Sequence, residues 1–392
     1  MEEVVLVSGA RTPQGKFMGA LSTIPAPELG AVAIKEAVKR AGIEPKEVDY
    51  VIMGNVIAAG LGQVPARQAG IKAGIPPTTS ALTINKACAS GMTAVVLGAH
   101  FIQLGEAQTV AAGGMENMSL APHLLKNSRS GIRMGTGELV DSMIYDGLWC
   151  PFHNYNMGHA AETIATKYEV TRREQDEFAI GSHRKAMAAT KNGAFRAEIV
   201  PVTVKQRRET ITVSDDEGPR ADTSLETLAK LPAAFPPGTT VTAGNSSQIT
   251  DGAAALIVMS ARRAQERGLK PLARIIGYSH SGNDPHWLFD APVPAVQTLL
   301  KQIGARLEDF DLIESNEAFA AQVMANGKAL GWDWDRLNIK GGAVALGHPI
   351  GASGARILVT LLHSLKERHL KKGLAMICHA GGGAAAMAVE MV

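Results

Sequence analysis

The sequence predicts a layered α/β protein made of two like halves, with a long insertion between them. Three observations carry this. Residues 1–118 alternate short β-branched runs with amphipathic stretches, the pattern of a sheet covered by helices. The region 119–250 breaks that rhythm with polar, Gly-rich and Pro-rich pieces. The region 266–392 then repeats the first part in order.

Within the first half, Val4–Val7 reads as a strand, and 28–41 as a helix with Leu29, Val32, Ala33, Ala37 and Val38 on one side, stopped by Gly42. The runs 48–53 and 81–84 read as strands and 65–73 as a helix. A buried helix covers 93–102, and the strand Thr109–Ala112 is expected to end at Gly113-Gly114. In the insertion, the clearest helices are 160–168 and 174–190, while Lys126–Gly137 and Ser214–Asp222 are polar and Gly-rich. A wrapped segment of this kind often builds a binding surface. Its last strand is expected to return to the N-terminal half by about residue 265.

The repeat is detailed. Ala33–Gly42 followed by Val48–Ile52 matches Ala295–Gly304 followed by Phe310–Glu314, with Gly42 opposite Gly304 and Asp49 opposite Asp311. Ala89-Ser90-Gly91 then matches Ala352-Ser353-Gly354. Two like halves can pack with a site between them.

Composition narrows the function. A formal net charge of +2 without a long basic run gives no reason to expect nucleic acid as a partner. Three cysteines, Cys88, Cys150 and Cys378, make no disulfide framework and point to a reducing compartment. No apolar run approaches the roughly 20 residues of a membrane span. Strand residues begin at Val4, leaving no room for a leader, and the terminal Glu390-Met391-Val392 is no peroxisomal address. A cytoplasmic protein is expected, without membrane contact.

Cys88 lies between the strand ending at Ile84 and the buried helix, where free N–H groups and the helix dipole favour a thiolate. The stretch Gly341–Arg356 has no Gly-Lys-Ser/Thr and no dinucleotide fingerprint, so a phosphate loop is rejected. Its glycines instead argue for a crowded turn that presents His348. Asn316 follows an apolar strand and is placed to hold a water or a carbonyl. Cys378 follows Leu374–Ile377 at a strand end, ahead of Gly381-Gly382-Gly383. Taken singly, each has a plainer reading: a buried thiol, a surface histidine, a helix-cap asparagine.

In this order and spacing, Cys88 with its flanks, Asn316-Glu317-Ala318-Phe319, Gly347-His348-Pro349-Ile350-Gly351 and Cys378 with its trailing glycines resemble the thiolase family. Ser8–Pro13, Gly113–Glu116 and the duplication extend the resemblance over essentially the whole chain. It implies a duplicated five-layer α-β-α-β-α fold with an inserted loop domain that binds coenzyme A. It implies an acyltransferase that makes or cleaves 3-ketoacyl-CoA by Claisen condensation or thiolysis. Acetoacetyl-CoA is the expected substrate. No permanently bound cofactor or metal is implied, coenzyme A and acetyl-CoA being substrates.

In that scheme Cys88 is the nucleophile, His348 its base, and Cys378 the acid/base at the acetyl α-carbon. His348 and a water on Asn316 form one oxyanion hole, and the N–H groups of Cys88 and Ala380 form the second. Arg220 would lie by the adenine end of coenzyme A. Ser247, in the segment that starts at Ala243, would bond the pantetheine amides. Leu148, Met157, Phe235, Ala318 and Phe319 would line the pantetheine channel. A homotetramer, a dimer of dimers, is implied, with Lys126–Gly137 as the tetramer loop.

The chain departs from the family pattern at three places. It has Ala380 where the family usually has Gly, Asn156-Met157 where short-chain members carry His-Met, and Leu288-Phe289 where they carry Met-Gly. A medium- or long-chain β-oxidation thiolase is therefore the alternative. A decarboxylating condensing enzyme is disfavoured by Cys378, and a non-catalytic acyl-CoA-binding subunit by the presence of all four site residues.

Overall fold

The computed structural model describes residues 2–205 and 209–392. The N-terminal half runs β1 (Val4–Arg11), α1 (Ala26–Ala41), β2 (Tyr50–Gly54), α2 (Pro65–Lys72), β3 (Ser80–Ile84), α3 (Ser90–Gln103) and β4 (Thr109–Asn117). The insertion carries two long helices, α4 (Met157–Lys167) and α5 (Arg172–Lys191), and the chain then returns as β5 (Thr250–Ser260). The C-terminal half runs β6 (Ala273–Gly282), α6 (Pro292–Ile303), β7 (Leu312–Ser315), α7 (Ala320–Leu330), α8 (Ser353–Glu367), β8 (Lys372–His379) and β9 (Gly383–Met391).

The two halves have the same sheet. In the first, the spatial order is β1, β5, β4, β2, β3, with the first two pairings antiparallel and the last two parallel. In the second it is β6, β9, β8, β7 with the same pairing senses, and a parallel bridge from Ile313 to Leu337 stands where β3 stands in the first. β1 and β6 even carry a bulge at matching places, after Leu6 and after Ile275. Among the described residues, the sheets are joined by the pairing of Val5 and Leu6 with Arg274 and Ala273.

Five layers follow from which face each residue offers. Alternate residues of a strand point to opposite faces. Val5 and Val7 of β1 pack outward on α1 and α2, while Val4 and Leu6 face a central core shared with α3 and α8. On the far side, β7, β8 and β9 pack outward on α6 and α7. The two central helices touch where they lack side chains. A Cβ on Gly91 would lie 2.8 Å from the Ala355 nitrogen, and one on Gly354 would lie 2.5 Å from that of Met92.

The matched residues do matched work. Gly42 and Gly304 end α1 and α6 with φ of 69° and 64°, a left-handed turn that costs glycine little. Asp49 Oδ2 accepts the N–H groups of Gln108 and Thr109 at 2.8 and 2.9 Å. Asp311 Oδ2 accepts those of Lys371 and Lys372 at 2.9 and 2.8 Å. Each Asp thus pins the strand before its site to the strand beside it.

One expected boundary is wrong. β4 does not stop at Gly113-Gly114 but continues to Asn117. A Cβ at Gly113 would meet the Ala254 carbonyl oxygen at 2.0 Å, and one at Gly114 the Gly351 oxygen at the same distance. These glycines permit close approach inside a strand and do not form a turn.

Candidate active site

The site lies where both halves and the insertion meet, in a cavity of about 770 Å³. Cys88, His348, Cys378 and Ala380 line it. Cys88 stands two residues before α3, after Ala87, whose φ of 43° is unusual for a non-glycine residue. Ser90 Oγ stabilises that turn by donating to the Ala87 oxygen at 2.6 Å and accepting from the Lys86 nitrogen at 2.8 Å.

Burial works against the thiolate that the helix start favours. Burial pushes the Cys88 thiol up to about 12, although hydrogen bonds from the backbone N–H groups of Ala380 and Cys88 pull it down. Desolvation outweighs the helix start. Cys378 is pushed well up too, first by burial and then by Cys88.

His348 is held as a neutral base. Burial, and then Arg356, push it down to about 3. Its Nδ1 lies 2.6 Å from Ser353 Oγ, and that hydroxyl donates to the Pro349 oxygen at 2.9 Å. The single hydroxyl proton being engaged, Oγ accepts from Nδ1–H. Nε2 is therefore the unprotonated nitrogen, and it has no protein partner among the described residues. The loop is fixed from behind: His348 N–H donates to the Gln248 oxygen at 3.0 Å, and Gln248 Nε2 ties Gly218, Val344 and Ala345 together.

Asn316 follows β7 and is fully buried, set back from the lining residues. Neither atom of its amide has a hydrogen-bond partner among the described residues. The next residue anchors it: Glu317 accepts from Ser182 Oγ, Asn338 Nδ2 and Val344 N at 2.7, 2.9 and 3.0 Å.

Arg220, Ala243, Ser247, Leu148, Met157, Phe235, Ala318 and Phe319 all line the same cavity. Two segments among them are joined by backbone: Ser247 N–H donates to the Ala318 oxygen at 3.1 Å, and Ala320 N–H to the Asn245 oxygen at 2.9 Å. The cavity also takes in Lys16, Phe17, Met118, Met143 and Glu217, which the sequence did not single out. Lys16 and Phe17 lie far upstream on a short segment paired with β5, a placement that only the fold reveals.

Beside Cys378, Met157, Leu288, Phe289 and Cys150 form a buried apolar cluster against which Ala380 packs, so the Ala380 Cβ is accommodated. The His379 side chain, one residue on in β8, points to the other face of the strand. Its Nδ1 bonds the Ala380 oxygen at 2.8 Å. Among the described residues, no group of three or more His, Cys, Asp or Glu side chains is placed to hold a metal, and no helix is long and apolar enough to cross a membrane.

A half-buried thiol, a buried thiol and a neutral imidazole on one cavity are the equipment of a cysteine-based acyltransferase. The comparisons make the class specific. The sequence matches the family "Thiolase, N-terminal domain" over residues 4–262 and "Thiolase, C-terminal domain" over 269–391. It is 54% identical over 391 residues to an acetyl-CoA acetyltransferase of Cupriavidus necator, covering 100% of both chains. It is 53% identical to one of Escherichia coli, covering 100% of this chain and 99% of that one. The crystal structure of the Bacillus anthracis acetyl-CoA acetyltransferase superposes with a TM-score of 0.98 at 46% identity, covering 100% of this chain and 99% of the other. The chain belongs to the thiolase family, has the thiolase fold and is an enzyme of that type.

Proposed function

We propose that the enzyme is an acetyl-CoA C-acetyltransferase that interconverts acetoacetyl-CoA plus coenzyme A with two molecules of acetyl-CoA. The carrying observation is the single cavity that holds Cys88, His348 and Cys378 together with the apolar wall of Met157, Leu288 and Phe289. That wall is packed and buried beside Cys378, which favours a short acyl group over a long one.

In thiolysis, the Cys88 thiol gives its proton to His348 Nε2 as the sulfur attacks the 3-keto carbon. The N–H groups of Cys88 and Ala380 take the developing oxyanion. The Cα–Cβ bond breaks, leaving an acetyl group on Cys88 and an acetyl-CoA enolate. His348 and a water held by Asn316 stabilise the enolate oxygen, and Cys378 protonates its carbon. Coenzyme A then attacks the acetyl thioester, its thiol proton is taken up by a site base, and Cys88 is released. Low-dielectric surroundings strengthen each of these donors, one of which is worth about 3–4 kcal/mol in comparable oxyanion holes.

Coenzyme A lies along the insertion in this reading, its adenine end by Arg220 and its pantetheine by Ser247 and Phe319. The protein is a cytoplasmic homotetramer, with the Lys126–Gly137 loop between dimers. Exposed Ile132 and Met134 on that loop support an interface there.

The test is coenzyme A-dependent cleavage of acetoacetyl-CoA beside 3-ketooctanoyl-CoA, for wild type and Cys88→Ala. Preference for acetoacetyl-CoA, with the variant inactive, is the expected result. Preference for the longer substrate would replace this reading by a β-oxidation thiolase.

A further inference from the structure

Glu116 is a fully buried acid held by both halves at the site, and the chemistry above does not use it. It lies near the end of β4. Its Oε1 accepts from Asn55 Nδ2 at 2.7 Å and from Ile57 N at 3.1 Å. Its Oε2 accepts from Val56 N at 3.0 Å and from Gly351 N at 2.9 Å. Asn55, Val56 and Ile57 follow β2 in the N-terminal half, whereas Gly351 stands three residues beyond His348 in the C-terminal half. A Cβ at Gly351 would lie 2.7 Å from Oε2, so the His348 loop closes directly on the carboxylate.

All four partners are N–H donors. A protonated carboxyl would set its own O–H against one of them at hydrogen-bond distance, so the arrangement requires the ionised form. An apolar cluster of Val56, Ile57, Met118, Met143 and Ile350 sits on the same junction, with Cys88 packed against it. The spacing of the His348 loop from the Cys88 turn therefore depends on this contact.

We propose that Glu116 is a positioning residue: its ionised carboxylate clips the His348 loop to the N-terminal half, and its protonation releases the loop and uncouples His348 from Cys88. The proposal rests on the reading of Cys88 as nucleophile and His348 as base. The titratable groups around Glu116 are Asp251 on neighbouring β5, Cys88 on its turn and His348 on the clipped loop. None of them supplies a cation while His348 is neutral. Burial, opposed by the N–H bonds and reinforced by Asp251, pushes Glu116 up to about 7. His348 titrates far lower and cannot supply an acid limb near neutrality.

The experiment is the pH profile of kcat and KM for acetoacetyl-CoA cleavage by wild type and Glu116→Gln. Glutamine keeps one acceptor but cannot titrate. Wild type is expected to lose kcat below about pH 7 with KM little changed. The variant is expected to lose roughly tenfold or more in kcat at alkaline pH and to show no limb near neutrality. A purely structural role would lower the folded fraction but leave the wild-type limb in the active remainder. A wild-type limb in Glu116→Gln overturns the proposal. Should the variant not fold, wild type alone decides. Amide exchange at Val56 and Gly351, corrected for intrinsic pH dependence, must speed up as pH falls through 7, while the amides of β5 stay protected. Constant protection overturns the clip. Wild type that cleaves no 3-ketoacyl-CoA overturns the reading of the site instead, and the exchange measurement still reads the clip.

Discussion

Ser353 determines which nitrogen of His348 is free, because its one proton is already given to the Pro349 oxygen and its lone pair faces Nδ1. Ser353→Ala removes that acceptor, and the imidazole can then carry its proton on Nε2, where it cannot take one from Cys88. The expected result is a fall in kcat of roughly ten- to a hundredfold with KM nearly unchanged, read by steady-state cleavage of acetoacetyl-CoA. Ser353→Thr, which keeps the hydroxyl, should recover part of the loss. Cys88 was legible in the sequence from its place between a strand and a helix start, and His348 and Cys378 from the glycines beside them. Glu116 and Gln248 were not. Their work is done on backbone N–H and carbonyl groups of distant segments, and no sequence pattern records which backbone groups a fold leaves unpaired.

At the scale of elements, duplication explains which half supplies which group. Asp49 and Asp311 bond alike, as do the strands they pin, so positions in the two halves can be matched. The N-terminal half offers Cys88 at the start of α3 where the other has Gly351, and the C-terminal half offers Cys378 on β8 where the other has Met115 on β4. α3 and α8 bring these loops together by crossing at Gly91 and Gly354. Gly91→Ala places a methyl group 2.8 Å from the backbone nitrogen of Ala355, which no side-chain rotation relieves. Overpacking of this kind costs about 1–3 kcal/mol. Urea unfolding should show that loss, together with a fall in kcat, because the displaced helices carry the Cys88 turn and Ser353. The repeat was legible because stop glycines and an anchoring Asp are local signals. The course of β4 through Gly113-Gly114 was not, since a glycine kept small by a neighbouring strand reads in sequence like a turn glycine.

At the scale of the molecule, buried charge joins the insertion to the core and sets how stability follows pH. Arg11 is fully buried, with Nε on Glu198 at 2.7 Å and a forked pair to Asp216 at 2.7 and 2.9 Å. Arg11→Met would strand two buried carboxylates and should cost about 3–5 kcal/mol in urea unfolding. Protonation has opposing effects elsewhere. Burial pushes Glu116 up to about 7 and Glu314 up to about 8, so as pH falls from 8 towards 4.5 the folded state binds protons that the unfolded state does not, and stability rises. Burial pushes His183 and His280 down to about 4 and His348 down to about 3, so below pH 6.5 the unfolded state takes protons that the folded state refuses, and stability falls. Each proton is worth about 1.4 kcal/mol per pH unit, and these two acids face three histidines. The Tm should therefore rise modestly from about pH 8 to 6.5 and decline gently from there to about 4.5. Below that the acids are protonated in both states and their contribution stops changing, while the histidines continue to cost stability. Glu198, which Arg11 holds below the usual carboxylate range against the cost of burial, then adds its own loss as it protonates. Calorimetry across this range should show a gentle decline below pH 6.5 ending in a steep acid fall, and Glu116→Gln should flatten the rise above pH 6.5. A Tm that falls steadily from pH 8 downward would mean that the buried acids are ionised throughout, and that the histidines alone set the acid response.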